Sequence, residues 1–224
     1  MIGLQILKRQ RAVSLALADK FKAIPVANVS DCMARMSAGG ARIKPWHDGT
    51  PMAGPALTVK ARPGDNLMVH KALELAVLGD VIVVDAGGDL TNAIVGEIMM
   101  GIAVRRGLGG FVVNGALRDA AAIRKGSVPV FAAGVTHRGP YKDGPGEINV
   151  PIAIDGMVIH PGDLVIGDED GFLCVPFDEA EALLVAAENK GRLETKMIEQ
   201  MTNGTYDSTW VDATLKRLGC AIEE

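Results

Sequence analysis

The chain predicts an α/β fold with a parallel βαβ core, an antiparallel meander and C-terminal helices, and three observations carry that prediction. Val81–Asp85 is an unbroken run dominated by branched residues, the pattern of a strand covered on both faces. Between residues 56 and 132 helical segments alternate with such runs, which implies parallel strands joined by crossovers. From Ile148 onward the runs shorten and are divided by Asp155-Gly156, Pro161-Gly162-Asp163 and Asp170-Gly171, the punctuation of a meander.

Taken in order, residues 3–22 place apolar side chains at helical spacing and predict an amphipathic helix, followed by a short helix over 30–36 with Asn28 or Ser30 as cap. Residues 39–54, rich in Gly and Pro, predict a loop, and 56–61 a strand. Pro63-Gly64-Asp65-Asn66 turns the chain into a helix through about residue 78, capped by Asp65 or Asn66. The strand at 81–85 leads through a loop to a helix over 96–106. A strand at 111–114, a helix at 118–125 and a strand at 128–132 follow. Short strands then fill 150–175, and helices occupy 178 to about 200 and 208–218. Without a repeat or linker, residues 1–224 read as one domain, with the helices at 3–22 and 178–218 as packing or oligomerisation arms.

Composition narrows the function. With 48% hydrophobic residues the chain can bury a full core, but only 4% are aromatic, which leaves little for stacking bases or sugars. The formal net charge is −4, and the longest basic cluster, Lys8-Arg9-Gln10-Arg11, is too short to track a phosphate backbone, so no nucleic-acid partner is expected. No apolar segment approaches a membrane span or a secretion signal. Three scattered cysteines (Cys32, Cys174, Cys220) suit a reducing cytoplasm better than a disulfide framework or a zinc site.

The chemistry concentrates at two strand ends. Arg118 and Asp119 follow the strand that begins at Phe111, on the edge where parallel sheets place ligands. Arginine offers a fork matched to a carboxylate, and aspartate a hard oxygen for Mg²⁺ or Mn²⁺. Gly96-Glu97-Ile98-Met99 opens the preceding helix, whose first N–H groups and dipole favour an anion. Either feature alone is commonplace; a first-turn acid is ordinary, and most helix starts meet only water. Together they suggest a cation and a small carboxylate held side by side. Glu194 lies in line with Ala180, Leu184, Ala187, Gly191, Ile198 and Met201, where a carboxylate is costly unless paired or near a metal. His137, Arg138 and Lys142 sit in a Gly/Pro-rich loop and read as surface charge or contacts to a substrate's distal acid. Asp85-Ala86-Gly87-Gly88-Asp89 matches no phosphate-binding fingerprint, the four histidines form no metal pair, and Cys174 has no neighbouring base in the sequence.

These residues resemble the RraA-like family, which includes the 4-hydroxy-4-methyl-2-oxoglutarate / 4-carboxy-4-hydroxy-2-oxoadipate aldolases and the regulators of ribonuclease activity A. The resemblance runs from about Asn28 to Glu194. It is carried by Pro63-Gly64-Asp65-Asn66, Gly79-Asp80 with the strand after it, Gly96-Glu97, Gly115-Ala116-Leu117-Arg118-Asp119, Pro161-Gly162-Asp163 and Asp168-Glu169-Asp170-Gly171. Its most specific marker is an acid, twenty intervening positions and then Arg-Asp, here Glu97 to Arg118-Asp119, which marks the aldolase branch.

The resemblance implies a compact αββα sandwich of the swivelling β/β/α type, assembled as a trimer or a dimer of trimers with sites between subunits. It implies Mg²⁺ or Mn²⁺ on Asp119, with Glu97 holding the metal's waters. Arg118 would bind the pyruvyl unit, backbone N–H groups of Gly96, Glu97, Ile98 and Met99 its carboxylate, and Glu194 would reach the site of a neighbouring subunit. The activity implied is retro-aldol cleavage of a 4-hydroxy-2-oxo acid to release pyruvate, with oxaloacetate decarboxylation through the same enolate. The alternative is a non-catalytic protein that binds and inhibits a ribonuclease, a branch that lacks the intact Arg-Asp pair.

Overall fold

The computed structural model describes residues 3–37 and 39–221. It divides into two compact units, one reaching to Ala187 and one starting at Glu188. The first unit opens with β1 (Leu4–Ile6), α1 (Leu15–Phe21), α2 (Val26–Cys32), β2 (Lys44–Pro45) and β3 (Met52–Ala61). The middle of the chain forms α3 (Leu67–Leu75), β4 (Val81–Asp85), β5 (Ala93–Val95), α4 (Glu97–Arg106), β6 (Gly110–Leu117), α5 (Ala120–Arg124) and β7 (Val130–Val135). The meander comprises β8 (Gly146–Ile148), β9 (Ile152–Ile154), β10 (Met157–Ile159), β11 (Leu164–Asp168) and β12 (Gly171–Val175). A 3₁₀ turn (Phe177–Glu179) leads into α6 (Ala180–Thr202), and α7 (Thr209–Arg217) follows in the second unit.

The main sheet runs β1-β8-β3-β4-β6-β7-β2, with β5 added to β6 and the β11–β12 pair joined to β3. As predicted, β3, β4, β6 and β7 are mutually parallel. β3 serves two neighbourhoods: Met52–Pro55 pairs with β11, and Ala56–Lys60 with β4. Alternation along β4 divides its side chains between two cores. Val81 and Val83 face the layer of β9–β12, α1, α2 and the first turns of α6, while Ile82 and Val84 face α3, α4 and α5. This is the αββα layering expected, with β4 wholly buried apart from its last residue. Burying each branched side chain contributes about 1.5–3 kcal/mol before chain entropy is counted.

The N-terminus departs from expectation. Residues 3–22 do not form one helix: the chain runs extended along the sheet and becomes helical only at Leu15, where Ser14 Oγ accepts the Leu17 N–H (3.2 Å). Tertiary contacts override the helical spacing. Leu7 N–H donates to the Ile148 carbonyl and Val13 N–H to that of Gly162, each at 3.0 Å. Arg9 is drawn into a 2.7 Å ion pair with buried Asp80. The next helix also starts earlier than predicted, at Val26 after Pro25, so Asn28 is buried inside it rather than capping it.

In the second unit, α6 continues to Thr202 and α7 buries none of its residues. Glu194 pairs with Lys190 one turn away (3.1 Å). Beyond Ala187 the apolar stripe is uncovered, with Ile198 and Met201 exposed. Among the described residues, no helix is long and apolar enough to cross a membrane.

Candidate active site

A strand that the sequence does not announce builds the site. β5 lies parallel to the end of β6, with Val95 beside Leu117, and the Arg118 N–H donates to the Val95 carbonyl (2.9 Å). The start of α4 and the start of α5 are therefore neighbours, and the Glu97 backbone meets the side chains of Arg118 and Asp119 there. The Glu97 N–H donates to Asp119 Oδ2 at 3.0 Å, and Arg118 Nε lies 3.8 Å from the same oxygen. Among the described residues the other Asp119 oxygen has no partner, and both side chains of the Arg-Asp pair are 42% exposed.

Two backbone features permit this approach. Asp119 adopts the left-handed conformation (φ 59, ψ 35), which turns its carboxylate toward α4 instead of capping α5. Aspartate tolerates that region better than most residues, though at some strain. Gly96 leaves room: a Cβ there would stand 2.7 Å from Asp119 Oδ2 and 3.1 Å from Arg118 Cγ. The Met99 and Met100 N–H groups are spent on the Gly96 carbonyl (3.0 and 3.2 Å). With the Glu97 N–H held by Asp119 Oδ2, the anion-binding capacity of the turn rests on Ile98, whose N–H is unpartnered among the described residues.

Beside this junction lies a cleft lined by Asn66, His70, Gly96, Ile98, Met99, Arg118, Pro140 and Lys142, among others. Asn66 is buried; its Nδ2 donates to the Ile94 carbonyl (3.1 Å) while its Oδ1 has no partner. Partial burial, and then the nearby Lys142 charge, lower the His70 pKa, so its ring favours the neutral form. Sequence reasoning assigns Asn66 to a cap and a family marker but to no site, and gives His70 no role; their i,i+4 spacing on one face is the signal that could have found them. Of the three loop side chains, Lys142 lines the cleft, while His137 and Arg138 are exposed. Glu194 belongs to the second unit.

The other candidates are structural. Asp85 Oδ1 accepts from the Gly87 N–H (3.1 Å) and from Asn114 Nδ2 (2.9 Å), and Asn114 accepts from Arg42 (2.8 Å), which closes the glycine loop on itself. His47 uses Nδ1 on the Val130 backbone and meets Phe131 edge-on. Burial, reinforced by Asp163, pushes the Cys174 thiol well above its ordinary range, so it is no nucleophile.

Known proteins share this architecture. The family model described as Aldolase/RraA matches residues 26–174, a span that holds Gly96, Glu97, Arg118 and Asp119. A Halalkalibacterium halodurans protein named "Putative 4-hydroxy-4-methyl-2-oxoglutarate aldolase" is 43% identical over 171 residues, covering 76% of this chain and 81% of its own. A Thermus thermophilus 4-hydroxy-4-methyl-2-oxoglutarate aldolase is 38% identical over 112 residues, 50% of this chain and 68% of its own. The solved structure of the RNA-processing inhibitor RraA from Thermus superimposes with a TM-score of 0.63 at 32% identity, covering 68% of this chain and 92% of that one. Sequence match, fold likeness and the paired strand ends agree, and the chain belongs to the Aldolase/RraA (RraA-like) family.

Proposed function

We propose that the protein is a divalent-metal-dependent lyase that cleaves a 4-hydroxy-2-oxo acid, of the 4-hydroxy-4-methyl-2-oxoglutarate or 4-carboxy-4-hydroxy-2-oxoadipate type, and releases pyruvate. One observation carries this reading: an exposed guanidinium, a carboxylate with a free oxygen and an open helix start converge beside a cleft. The aldolase names of its relatives support it.

The donor set fits Mg²⁺ or Mn²⁺. Asp119 and Glu97 offer hard oxygens, and such cations are commonly held by one or two carboxylates with waters and substrate oxygens. Among the described residues no group of three or more His, Cys, Asp or Glu gathers as a cage, so waters and substrate oxygens would have to complete the shell. Asp119 would hold the cation directly and Glu97 the waters around it. When bound, it supplies a Lewis acid for the 2-oxo acid.

The side chains do the rest. The Ile98 N–H binds the substrate carboxylate, aided by the α4 dipole, while the Glu97 N–H holds Asp119 in place. Glu97, through a water, takes the proton of the C4 hydroxyl. The C3–C4 bond breaks, its electron pair passes to the pyruvyl half, and Arg118 stabilises the charge gathering on the keto oxygen. Returning the proton to C3 yields pyruvate. Oxaloacetate loses CO₂ from the same bond and reaches the same enolate, so decarboxylation accompanies the aldolase activity.

We further propose assembly of several copies in the cytoplasm, as a trimer or a dimer of trimers. Ile98 is 76% exposed beside the cleft and α7 buries nothing in its own chain; Glu194 would exchange its Lys190 partner for a neighbouring copy's site. The competing function, inhibition of an RNA-processing enzyme, draws on the likeness to RraA. Pyruvate release from both substrates with Mg²⁺, and its loss with EDTA, distinguishes the two. Release indifferent to EDTA defeats the metal mechanism.

A further inference from the structure

Asp65 takes no part in the chemistry above, yet it is 1% exposed and both its oxygens are engaged by backbone. Oδ1 accepts the Leu67 N–H at the start of α3 (2.9 Å). Oδ2 accepts the N–H groups of Asp143 (2.7 Å) and Gly144 (2.9 Å). One carboxylate thereby ties the head of α3 to the far end of residues 136–145. The tie is reinforced where the Asn66 N–H donates to the Tyr141 carbonyl (3.0 Å) and the Tyr141 N–H to that of Gly64 (2.9 Å). The near end is held by the Ala93 N–H on the Arg138 carbonyl (2.8 Å). Between these anchors lie Pro140 and Lys142, which line the cleft, and Gly139, where a Cβ would stand 3.4 Å from Arg118 Nη1.

We propose that Asp65 is a positioning residue: by clamping residues 143–144 to α3, it fixes the cleft wall formed by Pro140 and Lys142 and so sets how firmly substrate is held. The inference rests on the lyase reading of the same cleft. Asp65 touches no reacting atom, so loosening the wall weakens ground state and transition state alike, which raises KM and leaves kcat in place. Loss of folded protein does the reverse, lowering apparent kcat without moving KM.

Two variants of the full chain, assayed with oxaloacetate and Mg²⁺, test this. Asp65→Asn keeps the shape but sets an NH₂ against backbone donors. Asp65→Ser is the fold-sparing companion: its hydroxyl can still accept the Leu67 N–H as in an ST turn, but it is too short to reach residues 143–144. In both, KM rises about tenfold, the scale of one lost charged hydrogen bond, with kcat within about twofold. Hydrogen exchange at the Asp143 and Gly144 amides quickens in step. An unmoved KM in both variants overturns the inference, as does a KM rise without faster exchange at those two amides. A wild-type protein that releases no pyruvate defeats the lyase reading itself and this inference with it; an active wild type with unmoved variants defeats only the positioning role.

Discussion

Four of the aspartates in the motifs quoted above meet opposite fates. Asp65, Asp80 and Asp163 follow glycines in tight turns and are 1%, 0% and 2% exposed. Each spends both oxygens inside the protein: Asp80 on Arg9 and the Val77 N–H, Asp163 on the N–H groups of Phe177 and His160. Asp119 follows an arginine at a strand end, is turned outward by a left-handed backbone, and gives one oxygen to the Glu97 N–H. A carboxylate saturated with donors is a strut, because adding a cation would cost it bonds it already makes. One with an oxygen left over can bind a cation.

The largest effect that tests this contrast is Asp119→Asn. Asparagine accepts the left-handed conformation and can still receive the Glu97 N–H. Mg²⁺-dependent pyruvate release should therefore fall on the order of a thousandfold with Tm unmoved; a lowered Tm with activity retained would invert the contrast. Arg9→Met probes the opposite class. It removes the ion-pair partner of the buried Asp80, at a cost of about 3 kcal/mol, so thermal melting should drop by roughly 6–12 °C while activity per folded molecule holds. Gly96→Ala is milder: its extended backbone suits alanine, but the new methyl presses on Asp119 Oδ2. Activity should fall about tenfold to a hundredfold from misplacement alone, with circular dichroism unchanged. The smallest effect belongs to His70. Its folded pKa lies below the ordinary 6.5, so the unfolded chain takes up more protons as pH drops through and below that value, and stability declines there. Urea midpoints across this window should flatten in His70→Gln.

Much of this architecture is legible in the order of the residues alone. The continuous run at Val81–Asp85 and its alternation with helices point to the parallel core, because burial on both faces leaves that mark in a strand. Glu97, Arg118 and Asp119 can be paired because each follows a strand in consecutive crossover units. β5 is hidden: three residues carry no period, and only its partner β6 gives it meaning. The extended N-terminus is hidden for a related reason, since its spacing is helical and its conformation is dictated by Asp80, Ile148 and Gly162, all distant in the chain. The cleft residues Asn66 and His70 are concealed because a buried amide with an unmet acceptor looks, in a sequence, like any helix cap.

The left-handed backbone at Asp119 also shapes what mutation can reach. The residues that rest most easily there are glycine and asparagine, and both lie a single base change from either aspartate codon. On the proposed lyase reading, a duplicated copy would shed its chemistry in one step without disturbing its shape. The descendant would keep every surface that a partner can grip, which makes the passage from catalyst to scaffold unusually short.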